Sequence, residues 1–373
     1  MKKWITFIIF IILFIGCSNP NLNLNNIQTI DLVNFETTDT LAIKSIRYVP
    51  LETNSKSLIG NIDKILINKN RTFIMDSRYA KAIFIFDNNG KFLSKIDKKG
   101  KGPGEYIQIE DFSIDEENNI YIYDNGRKII VYKESGEFKT EYKFRYTAKD
   151  LVIIDNDNLA LFKLFNYTNT THSIGLYNFS KDKLTKFLPA RKSIDNIENR
   201  SLTMNHFYKS KKVIYFNNYH SDIIYTIAKD QIIPVFKIRM SSFPNDQEFI
   251  KLIKAHNNIE ESKVLIFKNI FENNDFFTFS FTLHNKVYKL VRSKKTDKYK
   301  IVNHEQFYAN TSIYAATDTS FISILSPSYY TDYKGAWEEI IKRTQLSLQL
   351  TNKTFESKEN INPILVIYQY KFF

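Results

Sequence analysis

The sequence predicts an all-β chain: a six-bladed β-propeller with two short inserted helices. Three observations lead there. Short β-rich runs recur four at a time, with a period in the forties. A glycine cluster, Gly100-Lys-Gly-Pro-Gly-Glu-Tyr106, separates the two best-preserved repeats and holds three of the ten glycines. Composition is rich in aromatics, with 31 Phe and 23 Tyr among 373 residues, which favours strands over helices.

The first 26 residues stand apart from this pattern. Lys2 and Lys3 precede an apolar run from Trp4 to Ile15, interrupted only by Thr6 and too short to cross a membrane comfortably as a helix. The run ends in Phe14-Ile-Gly-Cys17, which resembles a bacterial lipobox with Phe14 where Leu is usual. The expected organisation is a lipoprotein signal peptide over 1–16, an Asn-rich tether over 17–26 and the propeller over 27–373. Cys17 is the expected lipidation site, and as the only cysteine it excludes an intrachain disulfide. Localisation would then be the cell envelope, on the periplasmic or surface side, held to the membrane by lipid.

Formal charge is +12, and loss of residues 1–16 with their two lysines and no acids leaves +10. The lysines are dispersed along the chain, as on a solvated surface. Nucleic acid is not an expected partner of an exported chain. An anionic glycan or a negatively charged membrane surface suits the sign.

Two strands are expected near Ile27–Val33 and Ile43–Val49. The regular pattern starts after Gly60, with runs at Ile62–Ile67, Thr72–Met75, Ala82–Phe86 and Lys91–Ile96, separated by Asn, Asp and Gly turn formers. Beyond the glycine cluster come Ile109–Ile114, Asn119–Tyr123, Lys128–Tyr132 and Glu137–Phe144. The two units align: Asp76 corresponds to Asp124, 48 residues on, and Gly90-Lys-Phe92 to Gly136-Glu-Phe138, 46 residues on. Four-stranded units of this period are propeller blades, which need neighbours to cover their faces and so occur in rings.

Later repeats are eroded. A third set lies at Leu151–Ile154, Leu159–Phe162, Ile174–Phe179 and Leu184–Leu188. The fourth offers three runs, Val213–Phe216, Ile223–Ile227 and Ile232–Ile238. The fifth comprises Val264–Phe267, Phe276–Phe281, Val287–Val291 and Tyr299–Val302, and the sixth Ser312–Ala316, Phe321–Leu325 and Ile364–Phe372. The final strand is expected to pair with a strand from the other chain end and so close the ring. One inserted helix follows Asn245-Asp-Gln-Glu248, which reads as a capping box. The other is expected near Tyr333–Leu348.

These motifs resemble the six-bladed β-propeller lipoproteins of Gram-negative bacteria, which are similar to NHL-repeat propellers. The resemblance rests on Pro50-Leu-Glu-Thr53 with Leu58-Ile-Gly60, on Ile85–Phe92, on Gly100–Tyr106, on Ile120–Asp124 and on Asn362-Pro-Ile-Leu-Val-Ile-Tyr368. It implies six blades, a lipid anchor and an extracytoplasmic site. It supplies no catalytic residues and no cofactor.

Several residues invite a chemical reading. The Gly100–Gly104 cluster lacks the Gly-Lys-Ser/Thr ending of a phosphate loop and is followed by a strand, so it reads as a blade-to-blade joint. Lys101, Glu105 and Tyr106 are the candidate ligand contacts there, at a channel mouth. His172, His206, His220, His256, His284 and His304 show no metal-ligand spacing, although histidines from separate blades can converge on an axis. Asp76, Asp87, Asp111, Asp115 and Asp124 recur at strand ends, as turn-capping carboxylates do. No Gly-x-Ser-x-Gly elbow is present. Tyr219, His220, Tyr329, Tyr330, Tyr333 and Trp337 could form an aromatic platform. The expected function is a lipid-anchored binding or scaffold module for a glycan or an envelope protein. The alternative is a propeller enzyme, either an NHL-type metal-dependent lyase or a glycan-cleaving hydrolase.

Overall fold

The computed structural model describes residues 27–38, 41–124, 127–166, 169–190, 205–210, 213–218, 221–240, 243–254, 267–283, 286–303, 312–325 and 362–373. Cys17, the tether, Asp39-Thr40, Tyr219-His220, the expected helix at Tyr333–Leu348, Tyr329, Tyr330 and Trp337 lie outside them. So do His220, His256, His284 and His304.

The chain is a six-bladed propeller. Strands β1 (Gln28–Asp31) and β2 (Ile43–Pro50) precede the first blade, which comprises β3 (Lys64–Asn68), β4 (Arg71–Asp76), β5 (Ala82–Asp87) and β6 (Phe92–Ile96). Blade 2 comprises β7 (Asp111–Ile114), β8 (Ile120–Asp124), β9 (Lys128–Tyr132) and β10 (Phe138–Lys143). Blade 3 comprises β11 (Asp150–Ile153), β12 (Asn158–Asn166), β13 (Asn169–Asn178) and β14 (Lys183–Pro189). Blade 4 comprises β15 (Phe207–Ser210), β16 (Val213–Asn217), β17 (Ile223–Ile227) and β18 (Ile232–Arg239). Blade 5 comprises β19 (Phe267–Glu272), β20 (Phe276–Leu283), β21 (Lys286–Ser293) and β22 (Tyr299–Asn303). Blade 6 comprises β23 (Ala315–Ala316), β24 (Phe321–Leu325) and β25 (Ile364–Tyr370), with β2 as its outermost strand.

Period-two alternation explains why the central strands read as unbroken apolar runs. In β8, Ile120 and Ile122 join the core shared with blade 1, while Tyr121 and Tyr123 join the core shared with blade 3. In β12, Leu159 and Leu161 face blade 2, whereas Ala160 and Phe162 face blade 4. In β24, Phe321 and Leu325 pack toward blade 5, and Ile322 and Ile324 toward blade 1. Both faces of each sheet are therefore interior. Each large aromatic buried this way contributes about 2–3 kcal/mol relative to exposure.

The repeat's turn chemistry is equally regular. Asp76 Oδ2 accepts from the Gly60 and Asn61 backbone N–H groups at 2.8 and 3.0 Å. Asp124 likewise accepts from Ile107 and Gln108 at 3.3 and 3.1 Å. Each carboxylate ends the second strand of its blade and ties down the chain entering that blade's first strand. Asp115 caps the next turn by accepting from Glu117 and Asn119 at 2.9 and 2.8 Å, and Asp155 and Asn273 occupy the same place in blades 3 and 5. Gly90 and Gly136 share a left-handed φ, at 81° and 84°, in corresponding turns.

The chain ends close the ring, as expected from the sequence. β2 pairs antiparallel with β25 from Ile43↔Tyr370 to Pro50↔Ile364. β1, however, pairs with β18 in parallel, from Gln28↔Phe236 to Asp31↔Arg239, and makes blade 4 five-stranded. Between them Thr37 bridges Ile301 on the outer strand of blade 5. The N-terminal segment is thus a strap that covers the outer edges of blades 4, 5 and 6 in turn, where free strand edges would otherwise invite pairing with other chains.

Two expected strands need correction. Blade 4 has the innermost strand that the sequence pattern did not reveal, Phe207–Ser210. In blade 5 the described strand runs from Phe267 to Glu272, past the expected end at Phe267, while 264–266 lie outside the described residues. The helix α1 (Asp246–Lys254) starts as expected: Asn245 Oδ1 accepts from Gln247 and Glu248 N at 3.1 and 3.0 Å, and Glu248 Oε2 accepts from Asn245 N at 2.9 Å.

Asn362 fastens the closure. Its amide donates to Glu52 O and Ser57 O at 2.8 and 2.7 Å and accepts from Ile59 N at 2.8 Å. Asn362→Ala strands these buried backbone groups and is expected to cost about 2–4 kcal/mol. The measurement is urea unfolding, with Asn362→Asp as a partial rescue through Ile59; an unchanged midpoint would refute the role.

Candidate functional site

The innermost strands of all six blades surround one axial cavity of about 610 Å³. That volume falls within the usual range for small-molecule sites. The lining is polar and carries charge of both signs, including Lys64, Lys149, Lys209, Lys268, Asp111 and Asp150.

On the side of blades 1 to 4, the charges are used to stitch neighbouring blades. Lys64 Nζ lies 2.7 and 3.0 Å from the two Asp111 oxygens, and both side chains are almost wholly buried. Asp111 Oδ2 also accepts from Leu151 N at 2.8 Å, which carries the contact from blade 2 to blade 3. Ser113 Oγ accepts from Ile153 N at 3.0 Å one step along the same strands. Asp150 Oδ2 accepts from His206 N at 3.1 Å and pairs with His206 Nδ1, while the His206 ring stacks on Phe162 at 3.8 Å. Lys209 Nζ returns a bond to Ile153 O at 2.9 Å.

Burial and neighbours shift these groups in different directions. Burial raises the Asp111 carboxyl above its ordinary range, against the pull of Lys64. Burial also acts to raise Asp150, but the His206 charge and hydrogen bond, with Lys64 and Lys149, outweigh it and hold Asp150 below the usual value. Burial and then the Asp150 charge raise Glu110, which Lys149 opposes. Burial depresses Lys209, with Glu116, Asp115 and Asp155 acting the other way. A cavity with such fixed charges can orient a polar ligand by directed hydrogen bonds without rearranging its own side chains.

The glycine cluster occupies a different place. It joins blade 1 to blade 2 and is locked by its own side chains. Glu105 turns back so that Oε2 accepts from Gly102 N at 2.9 Å, and a Cβ on Gly100 would meet that oxygen at 1.9 Å. Glu141 Oε2 accepts from Gly104 N at 3.0 Å and from Lys128 Nζ at 2.8 Å, and Lys128 also donates to Gly102 O at 3.0 Å. Tyr106 is fully buried and its hydroxyl donates to Lys81 O and Ile96 O at 2.8 and 3.1 Å. Lys101 is exposed on the same loop. The residues lining the axial cavity do not include Lys101, Glu105 or Tyr106.

Of the strand-end aspartates, Asp76, Asp87, Asp115 and Asp124 cap turns. Asp111 instead opens the innermost strand of blade 2 and forms the buried pair. Sequence spacing could not show this, because Lys64 and Asp111 are 47 residues apart on different blades. The available signal was Lys64 itself, a charged residue beside the apolar run Ile65-Leu-Ile67. Among the described residues, no group of three or more His, Cys, Asp and Glu is placed to hold a metal ion.

The comparisons with known proteins agree with this architecture. A family model described as a domain of unknown function, DUF4934, matches residues 18–369. No curated protein sequence matches the chain. The crystal structure of a "putative exported protein" from Bacteroides fragilis superposes with a TM-score of 0.72 at 18% identity, covering 93% of this chain and all of the other. At that identity the likeness is one of fold. Glutaminyl cyclase from Myxococcus xanthus gives a TM-score of 0.33 at 10% identity over 69% of this chain and 95% of its own. Dihydro-heme d1 dehydrogenase NirN gives 0.36 at 9% identity over 72% of this chain and 55% of its own. Neither value reaches the level at which a shared fold follows.

Two measurements probe the stitching. Lys64→Ala leaves a buried, unpaired carboxylate and is expected to cost about 3–5 kcal/mol in chemical denaturation, while Lys64→Met with Asp111→Leu costs less than the two single changes together. Additive losses would exclude a coupled pair. Asp150, depressed in the folded state, contributes stability above its ordinary value and loses it as pH falls through the lowered one. Asp150→Asn is therefore expected to flatten the acid limb of the stability–pH curve below about pH 4; an unaltered limb would contradict this.

Proposed function

We propose that this chain, which belongs to the DUF4934 family, is a lipid-anchored binding module of the cell envelope, similar to NHL-type propellers. Its ligand is a glycan or the polar segment of an envelope protein, held in the axial cavity. The observation that carries this reading is the cavity itself: a site of small-molecule size at the ring's axis, lined by all six blades, with Lys64, Asp111 and Asp150 fixed by bonds between blades. Rigid polar groups around a concave site supply specificity, because a ligand that fails to match them leaves them unsatisfied.

Three further observations support the envelope address. The basic, apolar and cysteine-terminated leader ends at Cys17, and the family match begins one residue later. The similar Bacteroides fragilis structure bears the name of an exported protein. The strap begins at Gln28 on the outer edge of blade 4, so the ten residues from Ser18 to Ile27, between a lipidated Cys17 and the strap, would hold that edge within about 35 Å of a membrane.

Lipidation is tested by Cys17→Ala. The variant is expected to leave the membrane fraction and lose acyl labelling, and retained attachment would refute the anchor. The Cys17→Ala form then serves for a glycan array and an envelope pull-down. Binding is expected to weaken at least about tenfold on Asp150→Asn, through loss of a charged hydrogen-bonding group in the cavity wall. Binding that ignores changes to the lining residues would place the ligand elsewhere.

A further inference from the structure

The two sides of the axial cavity are built differently. On blades 1 to 4 the innermost strands pair in regular register and their charges are committed to partners. Lys64 is paired with Asp111, His206 with Asp150, Arg78 with Asp63, and Lys209 with a carbonyl. Blade 5 breaks the pattern. Between Lys268 and Phe271, β19 advances three residues while β20 advances two, from Ser280 to Thr278, so β19 carries a one-residue bulge. Among the described innermost strands it is the one with a register shift.

Asn269 takes the left-handed conformation in this bulge, at φ 55°, a position at which glycine would be unstrained. Its backbone hydrogen-bonds Tyr208 of blade 4, which fixes the bulge in place. The irregularity lies at the cavity wall, and Lys268 and Asn269 both line the cavity. Lys268 has no ion-pair partner among the described residues, and burial depresses its ammonium below the usual value. Blade 6 contributes Ser312, Ile313, Tyr314, Ala315 and Ala316 to the lining, with Ile313 in the core shared with blade 5 and Tyr314 packed against the core shared with blade 1, so no charged group of blade 6 lines the cavity beside Lys268. A cation half withdrawn from water at an irregular point of the cavity wall, with no ion-pair partner among the described residues, is costly to fold and matches a compact oxyanion.

We propose that the blade 5 side of the cavity is an oxyanion subsite, in which Lys268, beside Asn269 at the bulge, holds the carboxylate or sulfate group of an acidic sugar. The proposal rests on the reading of the axial cavity as the binding site and narrows its ligand. The ion-paired side then faces the neutral, hydroxyl-bearing body of the sugar. The regular stitching of blades 1 to 4 keeps that side from competing for the anion.

The test is calorimetric titration of the full chain in detergent with D-glucuronate, glucose 6-sulfate and, as the neutral control, glucose. At least one acidic sugar is expected to bind about tenfold or more tighter than glucose. The preferred arm assigns carboxylate or sulfate. Lys268→Met is expected to lose about tenfold or more of that affinity while Lys268→Arg keeps most of it. Thermal unfolding of Lys268→Met is expected at or above the parent temperature, since an unpaired, half-buried charge is removed. If Lys268→Met fails to fold, Lys268→Gln gives the same comparison. Equal binding of glucose and the acids, or acid affinity indifferent to Lys268, overturns the subsite and leaves the wider binding-module reading standing. Failure of both acids to bind at about 10 mM also overturns the subsite, whatever the array and pull-down return.

Discussion

Everything in this chain depends on sheets that are apolar on both faces. A strand such as β8, buried at every position, cannot exist at the surface of a two-layer protein. Its odd and even side chains need separate apolar partners, and a neighbouring blade on each side is the arrangement that provides them. A linear stack would leave two greasy end faces. Six blades in a ring leave none, so the ring is a consequence of the alternation seen in Ile120, Tyr121, Ile122 and Tyr123.

Ring closure then becomes the step at which sequence-distant parts must meet. Blade 6 draws its outermost strand from the N-terminal part of the chain and its neighbour from residues 364–370, so its pairing carries the largest loop-closure entropy in the fold. The structure places extra bonds there. Asn362 gathers three backbone groups from the segment 52–59, and Thr53 Oγ1 accepts from Asn362 N at 2.9 Å. The strap adds a second fastening, since Gln28–Asp31 and Thr37 engage blades 4 and 5 before β2 reaches blade 6. Phe35 packs edge-on against Phe281 and Tyr288 along that route, with ring centroids 5.5 and 5.4 Å away. Closure is thereby spread over three blades.

The fold was legible in the sequence wherever turn chemistry repeats. Asp76 and Asp124 align because both must accept from the same two backbone N–H groups, and Gly90 and Gly136 align because both turns need a positive φ. Legibility failed where side chains serve a neighbour on another blade. Phe207-Tyr-Lys-Ser210 has no alternation of its own, since Phe207 packs toward blade 3, Tyr208 toward blade 5 and Lys209 reaches Ile153 O. The parallel pairing of β1 with blade 4 was hidden for the same reason: nothing local to residues 28–31 distinguishes one outer edge from another. The cavity was the least legible part. Lys64 and Asp111 look like a stray lysine and one more strand-end aspartate until the ring brings them within 2.7 Å. The glycine cluster, the most conspicuous motif, is tied down within the fold: Glu105, Lys128 and Glu141 bond its backbone, and Tyr106 bonds Lys81 O of blade 1.

This contrast shows where function can reside in a repeat protein. A position that recurs blade after blade answers a need common to all blades, and that need is structural. Asp115, Asp155 and Asn273 serve one turn in three blades, and their side chains are spent on the backbone of those turns. A group that binds something foreign has to break the repeat, because one ligand on a six-fold axis meets six unequal walls. Blade 5 breaks it in the backbone, with a bulge at Lys268–Phe271 and a left-handed Asn269, and in the charge balance, with a cation that no described carboxylate meets. The backbone irregularity is held by Tyr208, while the cation has no ion-pair partner among the described residues. That coincidence, on a strand that lines the axial cavity, is the physical mark of a site completed by a ligand.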